Sequence, residues 1–259
     1  MPEKKINGFI FYRGPSALNG KPIVAIATGL TNARRHSGKA NRKTGAMVQT
    51  YILSDTESPV AARHSGGDAA ICGDCPHRNG TCYVRLEQGP TIVFKALQAG
   101  RYPLLSPEEA SKHVAGLPVR LGAYGDAVAV PFGIWQSLLV NVSGLTGYTH
   151  QWRLVQAEPF QAYCMASCDS ASETMQARQL GWRTFTVVSK VDWQRETKAL
   201  PKTFLCPASE EAGKKLTCSD CLACDGLFSQ RKAHVSTPVH GVAFKVKRFE
   251  STLIQIGRA

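Results

Sequence analysis

Short apolar runs of strand length alternate with helix-like segments through the middle of this chain. Met47–Leu53 has the β-branched and aromatic content of a strand. Thr91–Gly100 reads as a helix ending at Gly100. A second helix starts at Ser106, which is placed to cap it, with Pro107 in the first turn and Glu108 and Glu109 at the positive end of the dipole. Pro118–Tyr124 reads as a buried strand leading into Gly125 and Asp126, followed by a helix through Ile134–Val140. Gly147–Trp152 and Phe160–Ser167 read as further strands, Ser170–Leu180 as a helix and Trp182–Val188 as another strand. Such alternation predicts parallel strands with crossover helices, hence an α/β protein, either an incomplete or irregular (β/α) barrel or an open wound sheet. The expected division is a barrel-like domain over residues 1–200 and a small C-terminal four-cysteine module over 201–259.

Polar residues recur just past the predicted strand ends: Asp126, His150 with Arg153, Asp169 and Lys190. In α/β barrels that edge is where ligands bind. Each residue alone also fits a cap or a surface position, and Asp169 fits a cap for the helix from Ser170. Their recurrence at equivalent places makes Asp126, His150, Arg153 and Asp169 the candidate pocket residues.

The cysteines change the picture most. Seven of the 9 fall in two clusters, Cys72-x2-Cys75-x6-Cys82 followed by Tyr83, and Cys206-x11-Cys218-x2-Cys221-x2-Cys224. The start of the chain lacks the apolar stretch of a secretory signal, so the expected compartment is the reducing cytoplasm. There, such spacing serves metal binding or redox work rather than structural disulfides. His77 lies inside the first loop and completes, with three thiolates, a four-ligand zinc set. Four thiolates saturate one metal, so the second cluster suits a closed structural zinc or an auxiliary [4Fe-4S] cluster, and spacing does not separate the two. Cys164 and Cys168, in or after an apolar strand, read as buried inert thiols.

The net charge of +12, from 31 Lys and Arg against 19 Asp and Glu, favours polyanionic partners. The stretch 32–45 is a basic loop in which Arg34, Arg35, Lys39, Arg42 and Lys43 are candidate nucleic-acid contacts, or else a solvated connection. It lacks the Gly-x4-Gly-Lys-Ser/Thr pattern of a phosphate loop. No run of about 18 apolar residues is present to span a bilayer, so no membrane partner is expected. Metalloprotease helices, nucleophile elbows, His-hydrophobic-His nickase motifs and the zinc deaminase signature are absent from the sequence.

Several segments carry a resemblance: Asn41–Gly45 with Val48–Thr50, Asp68–Pro76, Cys82–Val84, Arg120–Asp126, Thr146–Arg153, Met165–Ser170, Gly181–Phe185 and Cys206–Ser209 with Glu211–Lys214. Together they resemble a family of uncharacterised proteins common in bacteriophages and mobile elements. More distantly, a cysteine loop ending in Cys-Tyr ahead of an α/β repeat is similar to phage proteins related to the radical S-adenosylmethionine (SAM) enzymes. That resemblance implies a [4Fe-4S] cluster on Cys72, Cys75 and Cys82, with Tyr83 packed beside it and the fourth iron open to SAM. The usual spacing there is Cys-x3-Cys-x2-Cys, from which this chain departs. The function so implied is an iron-sulfur enzyme acting on a nucleic acid or nucleotide in the host cytoplasm. The alternative is a non-enzymatic zinc-stabilised DNA- or RNA-binding protein of phage replication or host takeover.

Overall fold

A computed structural model describes residues 6–35, 41 and 43–256. Ten strands form two five-stranded sheets. The first contains β1 (Gly8–Pro15), β2 (Pro22–Thr28), β3 (Val48–Ser54), β4 (Pro118–Tyr124) and β5 (Gly144–Thr146), in that order. β2 runs antiparallel to both of its neighbours, β1 and β3, whereas β3, β4 and β5 are parallel. The second sheet, ordered β6-β7-β8-β10-β9, is parallel throughout. Its strands are β6 (Tyr148–Thr149), β7 (Met165–Cys168), β8 (Thr184–Val188), β9 (Thr203–Leu205) and β10 (His234–Pro238).

The α/β class and the parallel strands therefore hold. The described residues form two sheets and no closed barrel. β5 and β6 are separated by Gly147 alone, and of the strand expected over 147–152 only Tyr148–Thr149 forms. The Gly147 N–H turns aside to donate to the Cys224 carbonyl at 2.9 Å. A side chain at Gly147 would press on the Tyr163 carbonyl and the Cys164 sulfur, so glycine is required at this switch between sheets. β9 and β10 lie beyond residue 200 and pair with each other, and β10 also pairs with β8, so this part of the chain is hydrogen-bonded into the second sheet.

The main core packs between the first sheet and its helices, with Phe9, Ile23, Ile26, Ile52, Trp135 and Leu138 fully buried. The Trp135 indole N–H donates to the Ala127 carbonyl at 2.9 Å, so this large ring is buried without an orphaned donor. The helix at Pro107–Val114 begins as its sequence predicts: the Ser106 hydroxyl accepts from Glu109 N–H, and the Glu109 carboxylate accepts from Ser106 N–H. Two expectations shift. Residues 155–162, partly expected as strand, form 3-10 turns around Pro159, and β7 starts only at Met165. The first 28 residues contribute a hairpin, β1 and β2, whose strands the sequence reading did not resolve.

A smaller apolar cluster, with Met165, Val235, Ala223, Cys206 and Cys224 at its centre, packs against Tyr148, Phe185 and Phe204 of the second sheet. At the N-terminal end of β10, the half-buried His234 accepts a hydrogen bond at Nδ1 from Thr184 N–H at 3.1 Å. Burial, together with Arg178, Arg183 and Lys202, pulls its pKa down to about 4. The unfolded chain takes up this proton first as pH falls, so the neutral form stabilises the fold fully above about pH 6.5. That contribution is lost between about 6.5 and 4. Discounted for solvent screening, the loss is about 1 kcal/mol. His234→Asn keeps an acceptor and removes the titration, so its urea-denaturation stability should fall less steeply than that of the parent over this range. Parallel pH profiles would exclude the assignment.

Candidate metal centre at the strand edge

The loop carrying the first cysteines follows β3 and lies across the C-terminal ends of the parallel strands. It is tied down without help from its sulfurs. The Ser16 hydroxyl donates to the Ala70 carbonyl and Asp126 N–H to the Ile71 carbonyl, each at 2.6 Å. Arg78 donates through Nε and Nη2 to Asp68 Oδ1, at 3.1 and 2.6 Å, and through Nη1 to the Gly73 carbonyl at 2.6 Å. Gly73 has φ +56°, and a Cβ there would overlap the Gln151 side-chain amide, which instead donates to the Cys72 carbonyl at 3.0 Å.

Cys72, Cys75 and Cys82 converge in this loop. Burial pushes the Cys72 thiol well above its usual range, and the neighbouring sulfurs of Cys75 and Cys82 push it further. Burial likewise raises Cys82. A nucleophilic thiolate needs the opposite environment, so Cys72 and Cys82 are suited to lose their protons to a metal rather than to attack a substrate. The helix Ala243–Ile256 covers the loop from outside: Lys245 Nζ donates to the Cys82 carbonyl, and the Phe249 ring lies 5.9 Å from the His77 ring at an angle of 27°.

The predicted pocket residues separate into two groups. His150, past β6, and Asp169, past β7, meet at the same edge. His150 Nε2 lies 3.4 Å from Asp169 Oδ2, and His77 Nε2 lies 2.9 Å from the same oxygen. His77 thus reaches Asp169 from the cysteine loop, and its Nδ1 is 2.6 Å from the Thr81 hydroxyl. Burial opposes the charge on His150, but Asp169 and the adjoining Cys75 sulfur outweigh it and hold the imidazole well above its usual pKa. Burial also opposes the charge on Asp169, and the two histidines overcome it, keeping the carboxyl well below its usual range. Asp169 is not a helix cap. Ser170 takes that place, its hydroxyl accepting from Glu173 N–H at 3.2 Å.

Asp126 and Arg153 stand behind this pair. Asp126 is buried and fully engaged: it accepts from Val128 N–H, from the Thr149 hydroxyl and from His150 N–H, each at 3.0 Å. It fixes the backbone that carries His150. Arg153 lies half-exposed over the Trp152 ring at 3.9 Å and pairs with Glu173 at 2.8 Å, while the other oxygen of Glu173 accepts from Asp169 N–H.

Cys206, Cys218, Cys221 and Cys224 come together at a second place. Cys206 directly follows β9 and donates its N–H to the Ser236 carbonyl, and Cys218, Cys221 and Cys224 arrive on one short segment. Burial raises Cys224, with Cys206, Cys218 and Cys221 close enough to raise it further and the Tyr148 hydroxyl bonded to it. Burial raises Cys206 and Cys218 also. Arg183, buried just before β8, clamps the segment that follows Cys224. Its guanidinium meets Asp225 Oδ1 at 2.6 Å and donates to the carbonyls of Ala223, Gly226 and Ala233. The expected inert thiols behave so: Cys164 and Cys168 are buried, and burial raises both.

Two basic residues connect the centres. Lys43, expected as a nucleic-acid contact, turns inward. Its carbonyl accepts from Cys218 N–H, its ammonium is 2.6 Å from His240 Nε2, and burial lowers its pKa against the pull of Cys206 and Cys218. Arg120 donates to the Tyr83 hydroxyl at 3.0 Å on one side and faces Cys218 on the other. Tyr83 is half-exposed, with His240 as its ring neighbour at 6.0 Å. Arg34 and Arg35 are exposed on the helix Leu30–Arg35, with Arg34 bonded to the His113 carbonyl at 3.2 Å. Lys39 and Arg42 lie outside the described residues.

Sequence spacing missed His77 as the partner of Asp169, along with Thr81, Glu173, Gln151 and the Arg183–Asp225 clamp. For Arg183 a signal was present, a charged residue inside an otherwise apolar strand, which demands a buried partner.

Fold and site together define a class: an α/β protein with a three-cysteine loop, two histidines and a carboxylate at the C-terminal edge of its parallel strands. Compared with known proteins, the chain matches no family model, no curated sequence and no solved structure. Among the described residues no helix is long and apolar enough to cross a membrane.

Proposed function

We propose that this protein is an iron-sulfur enzyme of the radical SAM-like type, encoded by a phage or mobile element and acting on a nucleotide or nucleic acid. The observation that carries the reading is the spread of the sulfurs. In four-coordinate zinc, Zn–S bonds of about 2.3 Å at tetrahedral angles bring thiolates to about 3.8 Å from one another. Among the described residues no three cysteine sulfurs come within 4.8 Å of one another, although both sets converge. An iron-sulfur cubane spaces its thiolates more widely, because each binds a different iron. His77, engaged with Asp169, is not drawn in to complete a zinc set.

Cys72, Cys75 and Cys82 fit a [4Fe-4S] cluster with one iron left open, and such a group when bound supplies one-electron chemistry and a position for SAM. The loop lies across the C-terminal ends of parallel strands, the edge at which α/β proteins bind ligands, and this supports the reading. His150, Asp169 and Tyr83 then line the approach, and Asp126 fixes His150. Cys206, Cys218, Cys221 and Cys224 fit a closed second cluster in a small C-terminal module, with Lys43 and Arg120 offsetting its negative charge.

One observation favours the alternative of a zinc-stabilised nucleic-acid-binding protein. A cavity of about 460 Å³ beside His234 is lined by Arg178, Arg231 and Lys232, a basic surface suited to phosphates. Anaerobic purification followed by iron, zinc and acid-labile sulfide analysis and a visible spectrum separates the readings. Brown protein with about eight iron and eight sulfide per chain is expected, and SAM cleavage is then the assay. Colourless protein with about two zinc per chain, and nucleic-acid binding that weakens steeply with salt, would replace this reading with the alternative.

A further inference from the structure

We infer that His77, His150 and Asp169 bind one divalent transition-metal ion at a site separate from both sets of thiolates. Their ligand atoms all lie within 4.8 Å of one another, and among the described residues this is the one group of three or more metal-binding side chains that does so. It joins the cysteine loop to the ends of two strands, so the grouping is tertiary rather than a run of neighbours.

The hydrogen bonding around the three residues is what a plain ion pair fails to explain. Asp169 presents a single oxygen, Oδ2, to both imidazoles, and its other oxygen, Oδ1, is buried with no hydrogen-bond partner. His150 Nε2 is likewise buried without a hydrogen bond, its approach to Oδ2 at 3.4 Å being poorly aligned. A bare buried donor or acceptor of this kind is destabilising, and here two occur on groups facing each other. A cation among the three residues, displacing the imidazole protons, accepts lone pairs from His77 Nε2, His150 Nε2 and the Asp169 carboxylate, and so gives the orphaned His150 nitrogen a partner.

Each ligand is also held from behind, as metal ligands are. The Thr81 hydroxyl fixes His77 through Nδ1, leaving Nε2 for the ion. Asp126 grips the backbone N–H of His150, and Glu173 grips that of Asp169. Phe249, stacked on His77, shields one side and so strengthens the attraction between cation and carboxylate. Two imidazoles and a carboxylate suit zinc or ferrous iron and leave coordination positions for water or substrate. Cys75, against His150, makes the ion a neighbour of the thiolate loop. The inference stands whichever metal that loop carries.

Cobalt(II) serves as the probe, added to the anaerobically purified full chain with its thiolate centres filled and loosely held ions removed by EDTA. One cobalt per chain is expected by metal analysis, and the difference spectrum with and without cobalt should show only weak visible bands and no thiolate-to-cobalt charge transfer. Asp169→Asn, nearly the same shape, and His77→Ala should each weaken binding at least a hundredfold, and Thr81→Val about tenfold. Binding should survive in the Cys72→Ser, Cys75→Ser, Cys82→Ser triple variant. Circular dichroism and thermal melts identify any variant that fails to fold, and Asp169→Asn then carries the test. No bound cobalt, binding unchanged by Asp169→Asn, or a charge-transfer band that appears only on adding cobalt and is lost in the triple cysteine variant would each overturn the assignment.

Discussion

Under the proposed iron-sulfur reading, replacing Cys72, Cys75 and Cys82 together by serine is expected to abolish the proposed activity and remove about half of the iron and sulfide, while far-UV circular dichroism stays unchanged. The first loop does not depend on its sulfurs for shape. Its ends are fixed by the Asp68–Arg78 pair, by Ser16 on Ala70 and by Asp126 on Ile71, all of them contacts to groups the substitution leaves alone. The second centre should respond in the opposite way. The run from Cys206 to Cys224 is tied at its two ends by backbone bonds and the Arg183 clamp but contains only a short helical turn at each of Glu210–Ala212 and Cys218–Cys221, so a metal on its cysteines would add much of its order. Cys221→Ser with Cys224→Ser should therefore lower the melting temperature by roughly 10 °C or more, since structural metal binding is folding free energy. If the triple variant of the first loop unfolds globally, that centre is structural and the proposed enzyme loses its site.

Arg183→Ala is the second large effect, an expected loss of about 3–5 kcal/mol in urea denaturation. Both members of the pair are almost wholly buried, Arg183 at 4% and Asp225 at 3% side-chain exposure, so neither can turn to water. Removing the guanidinium leaves an uncompensated carboxylate and three carbonyls, of Ala223, Gly226 and Ala233, without their donor. Asp225→Asn added to Arg183→Ala removes the stranded charge and should recover part of the loss, which a double-mutant cycle measures directly. Because Asp225 adjoins Cys224, the single variant should also release metal from the second centre more readily. A destabilisation below about 1 kcal/mol with metal retained would show that the clamp contributes little.

Local sequence determined a good deal of this protein. The Ser106 capping box, the helix ending before Gly100 and the strands β3, β4 and β8 follow from periodicity and turn chemistry, which act over a few residues and need no partner from elsewhere. The two groupings of cysteines were equally legible, because ligands to one centre often sit close together along a chain. Polar residues past the strand ends pointed to the correct edge for His150 and Asp169, since parallel strands expose the same end to the same side.

Only the tertiary structure decided what those residues meet. His77 and Asp169 are 92 positions apart, and no local rule prefers Asp169 over a fourth place among the thiolates. Lys43 reads as solvent-facing in a basic loop, yet the segment 217–219 docks on its backbone and draws its side chain inward against His240. The break at Gly147, which parts one extended run into two sheets, depends on the Cys224 carbonyl 77 residues away and on the absence of room for a side chain. Spacing along the chain records which atoms are able to bind a metal or form a strand. Which of them face one another is set by burial and by the need to satisfy every buried polar group, and those conditions exist only once the chain has folded.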